Sequence, residues 1–180
     1  MTTDSRFVSP DTTECSPSSP HADVLDLLAR IHRFLEDGKE HEQPIVLVIE
    51  DDPEFLEDVA IEFAEAGFYV YAARDGYEGI ILAKAAKLSA VVSDLRMPRK
   101  DGVTVLRELR EIDPELPMFI ITGSSPGDVV AKTGEILEDV CESLAVLNCF
   151  QKPVLMTDLV DAVRLATRQA RGVTVTSGDS

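Results

Sequence analysis

Polar residues that could bind a metal ion and a phosphoryl group follow four short apolar runs of this chain. Three acidic residues follow IVLVI, an aspartate follows AVVS, a threonine ends MFIIT and a lysine follows LNCFQ. Carboxylate oxygens without Cys or His favour Mg²⁺ over zinc, and a lysine and a hydroxyl can stabilise phosphoryl oxygens. The residues at these positions are Glu50, Asp51, Asp52, Asp94, Thr122 and Lys152.

These side chains can act together only if the apolar runs lie side by side. From residue 44 onward, short β-rich runs alternate with stretches of helical periodicity. The predicted strands are 45–49, 68–73, 90–93, 118–122 and 145–150. The predicted helices are 54–67, 75–88, 102–112, 128–144 and 154–170.

Five strands alternating with five helices predict an α/β fold with a parallel sheet that helices cover on both faces. The strands are apolar almost throughout, as expected when both of their faces are buried. In an open sheet of this kind, ligands bind at the carboxyl ends of the strands, near the point where the strand order reverses. Because all four polar groups lie at strand ends, the pattern predicts one shared site.

Each of these residues also has an ordinary explanation. Acidic residues stabilise the start of a helix, and we interpret Asp52 as a helix cap. Taken singly, Asp94 could be a solvated loop residue, Lys152 a surface lysine and Thr122 a turn residue. Their joint placement favours a site in which the Asp94 carboxylate is the nucleophile that takes a phosphoryl group as an acyl phosphate.

The composition argues against several other classes of protein. The chain has 33 acidic and 17 basic residues and a net charge of −16, which disfavours binding to nucleic acid. No apolar run reaches the roughly 18 residues that a membrane span requires, and the N-terminus lacks the pattern of a secretory signal. Three cysteines without CxxC spacing indicate reduced thiols in a cytoplasmic protein.

The N-terminal region differs from the rest of the chain. Residues 1–20 are rich in Ser, Thr, Pro and Asp, and we expect a disordered tail. Apolar residues recur every three or four positions over ADVLDLLARIHRFLE, which predicts an amphipathic helix at 22–36. We therefore expect that helix and a linker within 21–43, one domain at 44–171 and a flexible tail at 172–180.

The stretches VLVIEDDPEF, VVSDLRMPRKDG, FIITGSS and FQKPV resemble the receiver domain of two-component response regulators. The resemblance covers residues 44–171 and includes all of the family's motifs in order. It implies a flavodoxin-like, doubly wound sheet of five parallel strands in the order 2-1-3-4-5, with five helices. It also implies a cytoplasmic signalling protein that catalyses only its own phosphorylation and dephosphorylation.

The resemblance implies a metal site that is built from four residues. Glu50 and Asp51 match the family's acidic pair, which binds Mg²⁺. Asp94 matches the phosphoacceptor, which also contacts the metal ion. Arg96 matches the position whose backbone carbonyl completes the metal site.

The resemblance likewise implies the roles of the remaining site residues. Asp94 would accept a phosphoryl group from a sensor histidine kinase or a phosphotransfer protein. Thr122 would be the switch hydroxyl that moves to the phosphoryl oxygen, and Lys152 would contact the phosphoryl group. The bond between Lys152 and Pro153 is cis in the family.

The chain departs from the family in three ways. An aromatic residue usually lies three positions before the lysine, where this chain has Cys149, which we interpret as a small packing residue and not as a redox sensor. The segment between Thr122 and Lys152 is longer than usual, and we expect the extra residues to lengthen the fourth helix. The tail RGVTVTSGDS is too short for an output domain, so we expect a stand-alone receiver that acts on a downstream protein or in a phosphorelay.

Two questions about partners stay open at this point. The helix at 22–36 could fold back over an apolar patch of the domain, or it could dock a partner or a second copy of the chain. A homodimer through this helix or through the fourth-helix face is consistent with the sequence.

Three alternative functions are weaker. A haloacid-dehalogenase phosphatase needs an aspartate two residues after the nucleophile, where this chain has Arg96. A flavodoxin-like FMN carrier needs a phosphate loop after the first strand, whereas EDDPEF would repel the FMN phosphate. A pseudo-receiver that signals without phosphorylation is the third alternative, and the complete set of site residues argues against it.

Overall fold

The structure is a computed structural model that describes residues 43–125, 127–128, 130, 134–170 and 172. The predicted helix at 22–36 lies outside the described residues, as do nearly all residues of the two predicted tails.

Five parallel strands form a single sheet in the order β2-β1-β3-β4-β5. The strands are β1 (Ile45–Ile49), β2 (Tyr69–Ala73), β3 (Ala90–Asp94), β4 (Met118–Thr122) and β5 (Asn148–Gln151). The strand order reverses between β1 and β3, which is the switch point at which open α/β sheets bind ligands. The flavodoxin-like order that the resemblance implied is therefore confirmed.

In the part of the chain that the structure describes, five helices connect and follow the strands. They are α1 (Pro53–Glu65), α2 (Gly76–Ala85), α3 (Gly102–Ile112), α4 (Leu137–Ser143) and α5 (Met156–Ala170). Aspartates cap the first three helices. The side chains of Asp52 and Asp75 each accept hydrogen bonds from two backbone N–H groups of α1 and α2, and the side chain of Asp101 accepts from one backbone N–H of α3. The cap that we predicted at Asp52 is thus present. Within the described residues, every helix is too short or too polar to span a lipid bilayer.

The two faces of the sheet bury two separate cores. Successive side chains of a strand point to opposite faces, so Leu47 and Ile120 pack under α2, α3 and α4. Val48 and Phe119 pack on the other face, under α1 and α5. Residues of β2, β3 and β4 are buried throughout, which explains why these runs are continuously apolar.

The fourth helix is much shorter than the sequence suggested. We predicted a helix at 128–144, but α4 begins only at Leu137. The backbone N–H of Val130 donates to the carbonyl of Glu135, which comes later in the chain, whereas a helical N–H donates to an earlier carbonyl. Gly134 has a φ of 72°, outside the right-handed helical region. The expectation that the extra residues lengthen the helix was wrong: the described residues between Thr122 and Leu137 are not helical.

The last strand also begins later than predicted. We expected a strand at 145–150, but β5 is Asn148–Gln151. Ala145 has a φ of 49°, and the backbone N–H of Val146 donates to the carbonyl of Cys141, so the chain turns here. The Arg110 guanidinium donates to the carbonyl of Leu144 at 3.1 and 2.8 Å, which holds this turn against α3.

Candidate functional site

The predicted site residues meet at one edge of the sheet. Glu50 follows β1, Asp94 is the last residue of β3, Thr122 ends β4 and Lys152 follows β5. The registers align these ends, because Asp94 is opposite Ile121 on the neighbouring strand. The backbone N–H of Lys152 donates to the carbonyl of Thr122 at 2.8 Å. A tight parallel register therefore brings residues from distant parts of the chain to one point.

Three carboxylates cluster at this edge. Glu50, Asp51 and Asp94 each offer an oxygen, and these oxygens lie within 4.8 Å of one another. Glu50 and Asp94 are only 3% and 6% exposed, whereas Asp51 is exposed. Buried carboxylates this close repel each other unless a cation compensates their charge. A set of oxygen donors with one solvent-facing member fits Mg²⁺, which keeps several of its waters when bound.

Lys152 provides a positive charge between the two buried carboxylates. Its Nζ lies 2.8 Å from Oε2 of Glu50 and 3.3 Å from Oδ2 of Asp94. Burial raises the pKa of Glu50 to about 7, and the negative charge of Asp94 adds to this, although the hydrogen bond from Lys152 opposes it. Burial alone would lower the pKa of Lys152, but its hydrogen bond to Glu50 and the charge of Asp94 outweigh that effect and raise it. Glu50 therefore titrates near neutral pH, while Lys152 remains charged.

The two carboxylate oxygens of Asp94 have different partners. Oδ1 accepts a hydrogen bond from the backbone N–H of Arg96 at 3.2 Å, and Oδ2 faces Lys152. The N–H of Arg96 thus lies beside the cluster, while the Arg96 residue is exposed. The use of the Arg96 carbonyl as a metal ligand remains a prediction.

Thr122 is fully buried next to the cluster. Its Oγ1 accepts a hydrogen bond from the backbone N–H of Ser124 at 3.1 Å. The hydroxyl is thus held by a local turn, which is the ordinary role that we had considered for it. Its carbonyl anchors Lys152, so Thr122 also joins β4 to the lysine. The bond between Lys152 and Pro153 is cis, as the resemblance implied.

Two further residues shape the site and were missed by sequence reasoning. The ring of Phe55 in the first turn of α1 lies 4.4 Å from Nζ of Lys152, a cation–π contact. Gly102 begins α3 so close to β3 that a Cβ atom there would lie 2.1 Å from the carbonyl oxygen of Asp94. An apolar residue in the turn after an acidic cluster, and a glycine shortly after a candidate nucleophile, are weak signals, but they could have drawn attention to both positions.

Comparison with known proteins identifies the class. The family model for the response regulator receiver domain matches residues 46–164. This chain therefore belongs to the family of response regulator receiver domains. The prediction from the resemblance is confirmed, and the flavodoxin and haloacid-dehalogenase alternatives are not supported.

Two curated relatives that this chain matches are longer proteins. The transcriptional regulatory protein PrrA of Mycobacterium leprae is 35% identical over 135 residues, which cover 74% of this chain and 54% of that protein. The transcriptional regulatory protein GlrR of Escherichia coli K12 is 31% identical over 136 residues, which cover 74% of this chain and 28% of that protein. The chain thus spans about half or less of these two relatives.

Solved structures agree with the family. A response regulator receiver protein from Sinorhizobium medicae is 30% identical, with a TM-score of 0.59, and the match covers 71% of this chain and 96% of that one. A CheY-like receiver domain protein from Methanospirillum hungatei has a TM-score of 0.65 at 16% identity, covering 74% and 100% of the two chains. At that identity the second likeness shows the fold alone.

Proposed function

We propose that this protein is a Mg²⁺-dependent phosphoacceptor, in which Asp94 takes a phosphoryl group from a sensor histidine kinase or a phosphotransfer protein. The observation that carries this proposal is the position of the Asp94 carboxylate. It lies 3.3 Å from the ammonium of Lys152 and in one cluster with the acidic pair Glu50 and Asp51. A nucleophile in such a setting has both metal-binding carboxylates and a positive charge beside it.

Different residues of the chain would have different roles in the phosphoryl transfer. A carboxylate oxygen of Asp94 forms a bond to phosphorus while the bond from phosphorus to the donor's histidine nitrogen breaks. Lys152 stabilises the charge on the transferring oxygens, because its ammonium is held beside Asp94. Glu50, Asp51 and the Arg96 carbonyl would hold Mg²⁺, which when bound supplies positive charge that offsets the carboxylates and the phosphoryl oxygens.

Thr122 would report the phosphoryl group to the rest of the domain. Its hydroxyl is buried at the end of β4 and occupied by the N–H of Ser124. A phosphoryl group on Asp94 would offer an acceptor to the Thr122 O–H. A shift of Thr122 toward it would carry along the Ser124 N–H that is bonded to Oγ1, and so displace the turn after β4. That turn precedes α4 in the chain, which gives the signal a route to the surface.

Phosphorylation can be tested directly with a small donor. Full-length protein incubated with MgCl₂ and acetyl phosphate should gain the mass of one phosphoryl group, and the modification should be labile to base. Asp94→Asn and omission of Mg²⁺ should each abolish the gain. An unmodified wild-type protein at saturating Mg²⁺ would contradict the proposal and favour the pseudo-receiver alternative.

The output that we propose is a contact with a downstream protein, or onward transfer of the phosphoryl group, in the cytoplasm. Two exposed apolar residues flank α4 in the chain: Ile136 before it is 41% exposed, and Leu147 after it is 58% exposed. We call Ile136, Leu147 and the helix between them the α4 surface. The α4 surface comes directly after β4, which ends at Thr122, in the order of elements along the chain. We therefore propose that a downstream partner, or a second copy of the chain, docks on this surface.

A charged substitution in the α4 surface tests whether the downstream partner docks there and not elsewhere on the domain. Leu147→Asp should weaken capture of a downstream partner by the phosphorylated protein while Asp94 remains phosphorylatable. Ile61→Asp is the matched control, because Ile61 is 40% exposed on α1, which packs on the opposite face of the sheet. Equal effects of the two variants would contradict the assignment of the α4 surface.

We also propose residues 44–171 as a single folding unit. The first strand begins at Ile45 and the last helix ends at Ala170, so these bounds enclose the whole sheet and all five helices. Limited proteolysis should leave a fragment with about these ends, while cleavage within the sheet or α5 would contradict the division. Whether residues 21–43 contribute to a dimer is tested by comparing the solution mass before and after deletion of 1–40.

A further inference from the structure

Asp128 joins the turn after β4 to the first residue of α4. The backbone N–H of Ser125 donates to Oδ2 of Asp128 at 2.7 Å, and the N–H of Asp128 donates back to the carbonyl of Ser125 at 2.9 Å. The N–H of Leu137 donates to the carbonyl of Asp128 at 3.0 Å. A single residue therefore closes a turn with its side chain and N–H, and holds the start of a helix with its carbonyl.

The start of α4 depends on this external acceptor. The first N–H groups of a helix have no acceptor within the helix, and the side chain of the N-cap residue Ile136 makes no capping hydrogen bond. The carbonyl of Asp128 accepts from Leu137 instead. Because Leu137 and Val140 are buried in the core beneath α4, packing fixes where the helix lies. The bond to Asp128 adds a separate hold on its first turn.

The same turn is bonded to Thr122 on its other side. The N–H of Ser124 donates to Oγ1 of Thr122 at 3.1 Å, and Ser125 is the next residue in the chain. Nε2 of Gln151, the last residue of β5, donates to Oγ of Ser125 at 3.3 Å. A short series of hydrogen bonds thus connects the switch hydroxyl at the end of β4 with the start of α4.

The far end of α4 is held independently of this series. The Arg110 guanidinium on α3 donates to the carbonyl of Leu144, the residue directly after α4, at 3.1 and 2.8 Å. The N–H of Val146 donates back to the carbonyl of Cys141 at 2.9 Å. A change in the turn at Asp128 should therefore loosen the first turn of α4 and leave its last turn in place.

We propose that Asp128 is a positioning residue that couples Thr122 to the first turn of α4. A Thr122 hydroxyl that turns toward a phosphoryl group on Asp94 carries along the Ser124 N–H and so changes the turn that Asp128 closes. The N–H of Leu137 then loses its acceptor. This response rests on the proposed function, because it needs a phosphoryl group on Asp94, whereas the link between Thr122 and Leu137 does not.

Amide hydrogen exchange of the unphosphorylated full-length protein, followed by NMR, tests the link itself. Asp128→Ala and Thr122→Val should each raise the exchange rate of the Leu137 amide roughly threefold to tenfold, the effect of one lost hydrogen bond on a local opening. The double variant should exceed neither single variant, because both changes break the same connection. The Val146 amide should keep its rate. Thr122→Ala replaces Thr122→Val if the latter does not unfold cooperatively.

Additive effects of the Asp128 and Thr122 variants would overturn the inference, as would an unchanged Leu137 rate in the Thr122 variant. Asp128→Asn keeps an acceptor oxygen and should exchange like the wild type. If it exchanged like Asp128→Ala, the effect would come from charge and the hydrogen-bond link would be wrong. Asp113→Ala is the matched control, because Asp113 accepts from the N–H of Glu115 at 3.0 Å in a similar turn after α3. It should leave the Leu137 rate unchanged.

Acetyl phosphate with MgCl₂ tests the response that depends on Asp94. Phosphorylation, verified by the mass of each sample, should raise the Leu137 exchange rate roughly threefold to tenfold in the wild type and less than about twofold in Asp128→Ala. A full response in phosphorylated Asp128→Ala would also overturn the inference. A wild type that gains no phosphoryl mass would contradict the proposed function alone, and the exchange rates of the unphosphorylated variants would still decide the coupling.

Discussion

Nζ of Lys152 lies 2.8 Å from Oε2 of Glu50, although 102 positions of sequence separate the two residues. The ion pair also reaches Asp94, so one partly exposed ammonium stabilises two carboxylates that are almost completely buried. The cluster at this edge has three carboxylates, and one lysine contacts two of them. A cation added to the cluster would restore neutrality, and this electrostatic need underlies the predictions that follow.

Removing the lysine should destabilise the protein. In Lys152→Met the carboxylates of Glu50 and Asp94 lose their partner, and we expect the free energy of unfolding to fall by about 1–3 kcal/mol in chemical denaturation without Mg²⁺. The loss stays in this range because Glu50 can take up a proton. Arg164→Met, which breaks an exposed pair with Asp161, is the control and should change stability by less than about 0.5 kcal/mol. Similar losses of unfolding free energy in the two variants would contradict the expectation that the buried ion pair contributes more to stability than the exposed one.

Binding of Mg²⁺ should weaken as the pH falls through neutrality. Because the pKa of Glu50 is raised to about 7, the metal ion must displace a proton below that pH. The apparent dissociation constant should then rise about tenfold for each pH unit below 7. Titrations at several pH values, followed by calorimetry, measure this slope. Glu50→Gln should bind more weakly and with a flatter pH dependence, and a flat profile in the wild type would refute the assignment.

The same raised pKa makes a prediction for the metal-free protein. Glu50 binds its proton more tightly in the folded chain than in the unfolded one, where its pKa is near 4.5. Its contribution to stability is therefore complete below about pH 4.5 and is lost as the pH rises through about 7. Urea midpoints of wild type and Glu50→Gln should diverge over this window, with the wild type losing stability relative to the variant as the pH rises. Added MgCl₂ should reduce the divergence at pH 8.

Gly102 should be intolerant of a side chain. A Cβ atom would lie 2.1 Å from the Asp94 carbonyl oxygen and 2.7 Å from Cα of Leu95, so α3 or the end of β3 must shift. Gly102→Ala should cost about 1–3 kcal/mol in unfolding free energy and slow phosphorylation of Asp94. Gly127→Ala is the control, because a Cβ there meets nothing within 4 Å. Undiminished stability of Gly102→Ala would mean that this contact relaxes without strain.

The two neighbouring aspartates after β1, Asp51 and Asp52, should have different functions. The Asp52 side chain accepts hydrogen bonds from the N–H groups of Glu54 and Phe55 at 3.0 and 3.2 Å, whereas Asp51 belongs to the carboxylate cluster. Asp52→Ala should cost about 0.5–2 kcal/mol of stability with little change in Mg²⁺ affinity. Asp51→Ala should abolish most Mg²⁺ binding and leave stability nearly unchanged. If Asp52→Ala abolished Mg²⁺ binding and Asp51→Ala lowered stability, the assignments of helix cap and metal ligand would both be wrong.

Sequence reasoning succeeded where local pattern and tertiary structure agree. The strands IVLVI and MFIIT are apolar because both of their faces are buried, and their bounds were predicted to the residue.

Sequence reasoning failed in the segment between β4 and β5. Val130 and Ile136 continue the apolar spacing of α4, but the φ of Gly134 and the hydrogen bond from the Val130 N–H to the Glu135 carbonyl are not helical. Periodicity records which residues are apolar, and it does not record the direction in which the backbone turns between them.

The sequence by itself determined the fold class, the strand ends that carry Glu50, Asp94, Thr122 and Lys152, and their family, because these depend on residue type and order. Only the tertiary structure decided the contacts among them. The raised pKa of Glu50, the ring of Phe55 over Lys152 and the fit of Gly102 against Asp94 all join residues from different parts of the chain. Such relations depend on distance and burial, which arise only when the parallel sheet and its helices pack together.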